Sequence, residues 1–184
     1  ARLMGIDIRQ NPEKARANLG YMAQKFSLYG SLTVRQNLEF FAAVYGLKLS
    51  ERKQRIEDII KVFGFSDIEN QKSEDLPLGF KQRLSMACAL IHNPPILFLD
   101  EPTSGVDVVT RKDFWNHITS LAKKGVTILV TTHFMDEAEY CDRISLFYKG
   151  ETIAVGTPQE LKNQAHSDNM EDTFITIIKE SEKR

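Results

Sequence analysis

The sequence predicts an α/β fold built on a parallel sheet, and three observations carry that expectation. Ile96 to Leu99 is an unbroken apolar run, read as a short strand buried on both faces, as in a parallel sheet. Val126 to Thr132 reads the same way. Between them a helix is expected after Asp107, running to Lys124, with Trp115, Ile118 and Leu121 inward and Gly125 as its stop. Strand, helix and strand make a βαβ unit whose strands are parallel neighbours. Asp100 and Glu101 close the first strand, Pro102 stops it, and His133 stands at the end of the second. All three then sit at the carboxyl rim of the sheet, where open α/β sheets bind ligands. Neighbouring strand side chains point opposite ways, so one acid is expected to hold a cation while the other faces a second target such as a water. Taken alone, the same residues also read as an ordinary strand ending in polar turn residues, with a structural histidine further on.

The remaining elements come in chain order. Ala1 to Ile8 reads as the tail of a strand pair, and Pro12 to Asn18 as a short helix after the turn at Asn11. Leu19 to Ala23 is a brief strand ending at Gln24, which by itself reads as a loop residue capping local backbone. Thr33 with Gln36 is a capping-box pattern for a helix bearing Leu38, Phe41 and Tyr45, which Gly46 ends. Ser50 is expected to cap a second helix striped by Ile56, Ile59, Ile60 and Phe63 and closed by Gly64. A third helix comes after Leu76 to Arg83, and its body, Leu84 to Ile91, is apolar enough to be buried all round. After a helix at Phe134 to Tyr140, Ile144 to Tyr148 and Glu151 to Val155 form a hairpin around Lys149-Gly150. Thr157-Pro158 starts a short helix, with Pro at its first position, and Met170 to Glu180 forms the last one.

Composition bounds the function. Hydrophobic residues are 42%, charged ones 27%, and the formal net charge is -1, with no block of like charge, so a nucleic-acid footprint is not supported. No apolar run approaches the roughly 20 residues needed to span a bilayer. The cysteines, Cys88 and Cys141, are expected to be small buried hydrophobes and not a disulfide framework.

Gln24, then Leu76 to Gln82, then Ile96 to Asp107, then His133, taken in that order, resemble the nucleotide-binding domain of an ABC ATPase. The likeness spans nearly the whole chain. Gly20 to Gln24, Leu28-Tyr29, Glu101 to Gly105 and Thr132 to Glu139 resemble the ATP-binding subunits of bacterial type-2 multidrug exporters, most closely the second half of tandem proteins. The resemblance implies a P-loop NTPase-like (RecA-like) parallel sheet core, residues 1–27 and 93–164. It further implies an inserted helical and signature subdomain at 28–92 and a C-terminal helix at 165–184. ATP and Mg²⁺ are the implied ligands. Gln24 would be the Q-loop glutamine, touching Mg²⁺ or the attacking water, and Asp100 the Walker B acid that holds Mg²⁺ through water. Glu101 would orient the water, and His133 would reach the γ-phosphate. Leu76, Gly79 and Gln82 fall in the signature motif, while Ser104 to Asp107 form the D-loop, which crosses to a second ATP-binding domain. The implied partners are that second domain and membrane permease subunits, at the cytoplasmic face of the bacterial inner membrane. Phe26 and Tyr29 are the aromatics best suited to a permease interface, whereas Phe40 and Phe41 read as core.

Two departures from the family pattern carry expectations of their own. No Gly-Lys pair occurs in the chain, so the Gly-x-x-x-x-Gly-Lys-Ser/Thr phosphate loop is not in it. The expectation is an N-terminally truncated domain in which tight ATP binding fails for want of that cradle, leaving the fragment inactive alone. The family signature Leu-Ser-Gly-Gly-Gln reads Leu76-Pro77-Leu78-Gly79-Phe80 here. Pro77 removes a hydroxyl and its own N–H, and Leu78 adds a side chain where close backbone approach is wanted. Losing one or two charge-assisted hydrogen bonds, at about 1.5–3 kcal/mol each, slows a step roughly tenfold to several thousandfold. The defect falls on the partner's nucleotide, so an asymmetric pair of sites is expected. A soluble ABC ATPase acting on ribosomes or nucleic acid, and an inactive truncated remnant, are the alternatives.

Overall fold

Strands β1 (Arg2–Leu3) and β2 (Ile6–Asp7) open the chain as a short antiparallel pair, followed by helix α1 (Pro12–Ala17). The computed structural model describes residues 1–25 and 27–182; Phe26, expected at a partner interface, lies outside the described residues, as do Lys183 and Arg184. The described residues fall into two compact units, Ala1–Thr131 and Thr132–Arg184.

In the first unit, β3 (Leu19–Met22), β4 (Ile96–Asp100) and β5 (Thr127–Thr131) form a parallel sheet in the order β3-β4-β5. Helices α2 (Val34–Val44), α3 (Leu49–Phe63) and α4 (Leu78–Leu90) lie between β3 and β4, and α5 (Val108–Lys123) joins β4 to β5. The βαβ expectation therefore holds, with Ile96 opposite Thr127 and Asp100 opposite Thr131. Helix α4 lies so close to the sheet that a Cβ on Gly20 would overlap the Ala89 carbonyl oxygen, so only glycine fits there.

The strands are not buried on both faces. Along β4, Leu97 and Leu99 are buried while Ile96, Phe98 and Asp100 are half-exposed. In β5, Leu129 is 55% exposed. Pairing in register puts Tyr21, Phe98 and Leu129 on one face and Gly20, Leu97 and Ile128 on the other. Helix α4 covers the second face, so apolar side chains on both faces do not by themselves mean two covered faces.

Helix α2 begins as expected. The Thr33 hydroxyl accepts from the Gln36 N–H at 3.1 Å, and Gln36 Oε1 accepts from the Thr33 N–H at 3.0 Å. Helix α3 starts one residue before Ser50, with Lys48 at its N-cap, so Ser50 is already inside the first turn and is not the cap. Gly64 ends α3 in the left-handed conformation at φ +68.

Asn37, fully buried, ties this block to the loop before it. Its amide nitrogen donates to the carbonyls of Tyr29, Leu32 and Thr33, and its Oδ1 accepts from the Tyr29 N–H at 2.9 Å. Ser73 Oγ donates to the Tyr29 carbonyl at 2.8 Å, linking the same loop to the 3-10 turn Ser73–Asp75 that leads into α4.

The second unit holds helix α6 (Met135–Ala138), the hairpin β6 (Ile144–Tyr148) and β7 (Glu151–Gly156), and helices α7 (Pro158–Ala165) and α8 (Met170–Ser181). Lys149 and Gly150 both take positive φ, as the two-residue hairpin turn demands. Leu146, Leu161, Ala165, Met170 and Ile177 form its core. Burial pushes the thiols of Cys88 and Cys141 upward, in keeping with their expected role as inert hydrophobes.

Candidate functional site

Strand β4 delivers Asp100 to the carboxyl end of the sheet, opposite Thr131. The Thr131 hydroxyl donates to Asp100 Oδ1 at 2.5 Å. Glu101 has already left the strand: its φ is +44, a left-handed conformation uncommon outside glycine and costing of order 1–3 kcal/mol. The two acids are thus separated by a turn and not by strand alternation, which corrects the sequence expectation. Several contacts hold the turn. The Glu101 N–H donates to both the Thr131 carbonyl (3.0 Å) and the Thr131 hydroxyl (3.1 Å), and the Ser104 N–H returns to the Glu101 carbonyl at 3.1 Å. Pro102 and Thr103, both buried, anchor the loop that leads on to Asp107.

Gln24, beyond the end of β3, reaches Glu101. Its Nε2 donates to Glu101 Oε2 at 2.8 Å, although 77 residues separate them. A carboxylate only accepts, so the amide presents its nitrogen to Glu101 and its oxygen elsewhere. The expected residues Gln24, Asp100 and Glu101 therefore meet at one rim of the first unit.

The remaining expected residues of this unit meet in a second cluster. Leu76 is buried just ahead of α4, whose N-cap is Pro77 and has no side-chain cap bond. Buried Gln82 donates from Nε2 to the Ser104 carbonyl at 3.5 Å, while its Oε1 has no partner among the described residues. A Cβ on Gly79 would stand 2.6 Å from Thr110 Cγ2. The Thr110 hydroxyl in turn donates to Asp107 Oδ2 at 2.6 Å. Asp107 caps α5, accepting the N–H groups of Val109 and Thr110 at Oδ1. The Thr110 hydroxyl, and then these N–H groups, hold its carboxyl below the usual carboxylate range.

His133 comes two residues after β5 and belongs to the second unit, on the short exposed turn before α6. The residues around it are fixed by Glu137, a fully buried carboxylate whose Oε2 accepts from the Thr132 hydroxyl at 2.6 Å. That hydroxyl accepts from the Phe134 N–H at 3.0 Å, and the His133 and Phe134 rings lie 4.1 Å apart.

Sequence reasoning missed Thr131, Thr110 and Glu137. Thr131 was not within reach, since aligning the two apolar runs from Ile96 and Val126 puts Val130 opposite Asp100, one residue out of the register that forms. Nor was Glu137, because an acid beside other acids reads as solvated until its burial is seen.

The residues present fit a hydrated Mg²⁺ bound with phosphate. Asp100 and the Gln24 amide oxygen are hard oxygen donors, which suit an ion that keeps its water and takes one or two carboxylates plus substrate phosphates. A dedicated protein cage is not what the described residues offer, for they contain no group of three or more His, Cys, Asp or Glu placed to hold a metal.

Comparison with known proteins shows the family and the fold. Residues 2–104 match the family model described as ABC transporter. The chain is 55% identical over its whole length to the probable multidrug ABC transporter ATP-binding protein YbhF of Escherichia coli, and spans 32% of that protein. It thus covers about a third of the length of that relative. Among solved structures, an ATP binding subunit of an ABC transporter superposes with a TM-score of 0.81 at 25% identity, over 95% of this chain and 74% of its own. A dimeric post-hydrolysis ATP-binding cassette bound to ADP and Pi superposes with a TM-score of 0.71 at 27% identity, over 83% of this chain and 68% of its own. The P-loop NTPase architecture, the order of the motifs and the matched family model lead to one conclusion: the chain belongs to the ABC transporter family, as part of its ATP-binding domain.

Proposed function

We propose that this chain belongs to the ATP-hydrolysing subunit of a membrane exporter of drugs or other xenobiotics, and that Asp100, Glu101, Gln24 and His133 perform the hydrolysis. The observation that carries the reading is the 2.8 Å bond from Gln24 Nε2 to Glu101 Oε2 beside Asp100. Phosphoryl transfer asks a protein mainly for positioning and charge complementarity, and these side chains supply both. Asp100, through water, and the Gln24 amide oxygen are the groups that would hold Mg²⁺. Mg²⁺, when bound, neutralises charge on the phosphates. Glu101 accepts a proton of the attacking water and aims its lone pair, held in place by Gln24 and by its own left-handed turn. His133, in the second unit, is by family resemblance the proposed donor to the γ-phosphate.

The proposed partition assigns 1–27 and 93–164 to the sheet core, 28–92 to the helical and signature region, and 165–184 to a terminal helix. Leu76, Gly79 and Gln82, with Ser104 and Asp107, face the nucleotide of a second ATP-binding domain. The name of the Escherichia coli relative supports multidrug transport, and the ADP-bound cassette supports a dimeric working form. No helix among the described residues is long and apolar enough to cross a membrane, so permease subunits are the proposed carriers of the path, with this domain on the cytoplasmic face. Exposed Tyr29, whose ring packs edge-to-face on Phe40, is the proposed permease-facing aromatic.

Pro77 at the head of α4 brings no hydroxyl and no N–H, so the site this motif completes is the weaker of an asymmetric pair. Glu101→Gln in the full-length protein is expected to lower ATP turnover by about a hundredfold or more. The matching change in the other ATP-binding domain is expected to cost much less. Equal losses from the two changes refute the asymmetry, and no loss from Glu101→Gln refutes the function.

A further inference from the structure

We propose that Thr131 is a positioning residue of the hydrolytic site: its single hydroxyl orients the Asp100 carboxylate and holds the turn that aims Glu101. The inference rests on the function proposed above. Its geometry is independent of any ligand. A hydroxyl has one hydrogen to give and lone pairs to receive. The Thr131 hydrogen goes to Asp100 Oδ1 at 2.5 Å, and a lone pair takes the Glu101 N–H at 3.1 Å. The same N–H also reaches the Thr131 carbonyl at 3.0 Å, so one residue grips the backbone of Glu101 at two points. Strand register brings these groups together, because Asp100 pairs with Thr131 across β4 and β5.

The chemistry is affected in two ways. With Oδ1 engaged by the hydroxyl, Oδ2 is the oxygen that Asp100 offers to a cation, and the carboxylate plane is set. The Glu101 turn is an uphill backbone conformation for a side-chain-bearing residue, so removing one of its anchors loosens the residue that aims the water. Valine matches threonine in shape and strand preference but has no hydroxyl, whereas serine keeps the hydroxyl.

The experiment uses the full-length protein as wild type, Thr131→Val, Thr131→Ser and Thr127→Val, the last being an exposed threonine on the same strand and face. Mn²⁺ affinity in the presence of a non-hydrolysable ATP analogue is measured by electron paramagnetic resonance. Thermal melting and the Mg²⁺ concentration for half-maximal ATP hydrolysis are read alongside. Thr131→Val is expected to weaken Mn²⁺ binding and raise the Mg²⁺ midpoint by about tenfold, the weight of one hydrogen bond to a charged group. Its melting should stay near wild type, with Thr131→Ser restoring the midpoint and Thr127→Val leaving it unchanged. Wild-type cation dependence in Thr131→Val, or the same shift in Thr131→Ser, overturns the proposal. Should valine not be tolerated, Thr131→Ala and Thr131→Ser are compared in the same titration, and equal Mn²⁺ affinity overturns it. A wild-type protein with no cation-dependent nucleotide binding overturns both this inference and the function on which it rests.

Discussion

At the scale of single residues, the surroundings of His92 oppose its positive charge. It lies just beyond α4 with its ring stacked on Tyr45 at 3.8 Å and 13°, and neither ring nitrogen has a side-chain hydrogen-bond partner among the described residues. Burial first, and then the nearby Arg55 cation, lower its pKa to about 4, with the Leu19 backbone pulling the other way. Arg55 itself donates to the Ile91 and Leu90 carbonyls at 2.9 and 2.7 Å, so it is held in place. Linkage gives the sign. Between the ordinary histidine value and about 4, the unfolded chain binds a proton that the folded chain refuses, so stability falls as pH drops through that window. Above the window His92 is neutral in both states and contributes no pH dependence. Thermal melts of wild type and His92→Phe should diverge below about pH 6.5, wild type losing more. Parallel melting curves contradict this assignment. None of it was legible in the sequence, where a histidine before Asn93 and Pro94 reads only as a helix terminus.

At the scale of elements, most caps were legible, Ser50 being the exception, and the contacts between elements were not. Thr33 with Gln36, Thr157 with Glu160, and Asp107 before Val108 are local patterns, and each forms its cap because both partners lie within one turn. The Lys149-Gly150 hairpin was readable for the same reason. Gln24 and Glu101, or Asp100 and Thr131, meet only through sheet order and register, which apolar patterning constrains but does not state. The uncovered face of β5 escaped the sequence reading because Val126 to Thr132 looks alike whether one face or two are covered. The same scale holds Asn37, which joins α2 to the loop after Gln24. Asn37→Ala leaves the Tyr29 N–H and several carbonyls without this partner in a buried place, at roughly 1–3 kcal/mol for each group that water does not reach. Chemical denaturation should report a loss of that order or more, and a change below about 0.5 kcal/mol would show the amide to be dispensable. Gly79→Ala forces its methyl group against Thr110 and is expected to cost about 1–3 kcal/mol while also loosening the Asp107 cap, read in the same unfolding experiment.

At the scale of the molecule, the order of motifs was enough to read the family, because Gln24, the segment from Leu76 to Gln82, the segment from Ile96 to Asp107, and His133 keep a fixed sequence along the chain. Family membership rests on that order and on the match to residues 2–104, whereas the hydrolytic role rests on geometry at the end of β4. That role is tested most directly by following labelled ATP in the full-length protein carrying Glu101→Gln. The expected result is cation-dependent retention of bound, uncleaved ATP with almost no release of phosphate. Phosphate release at the wild-type rate would contradict it, since the carboxylate held by Gln24 would then have no part in aiming the water.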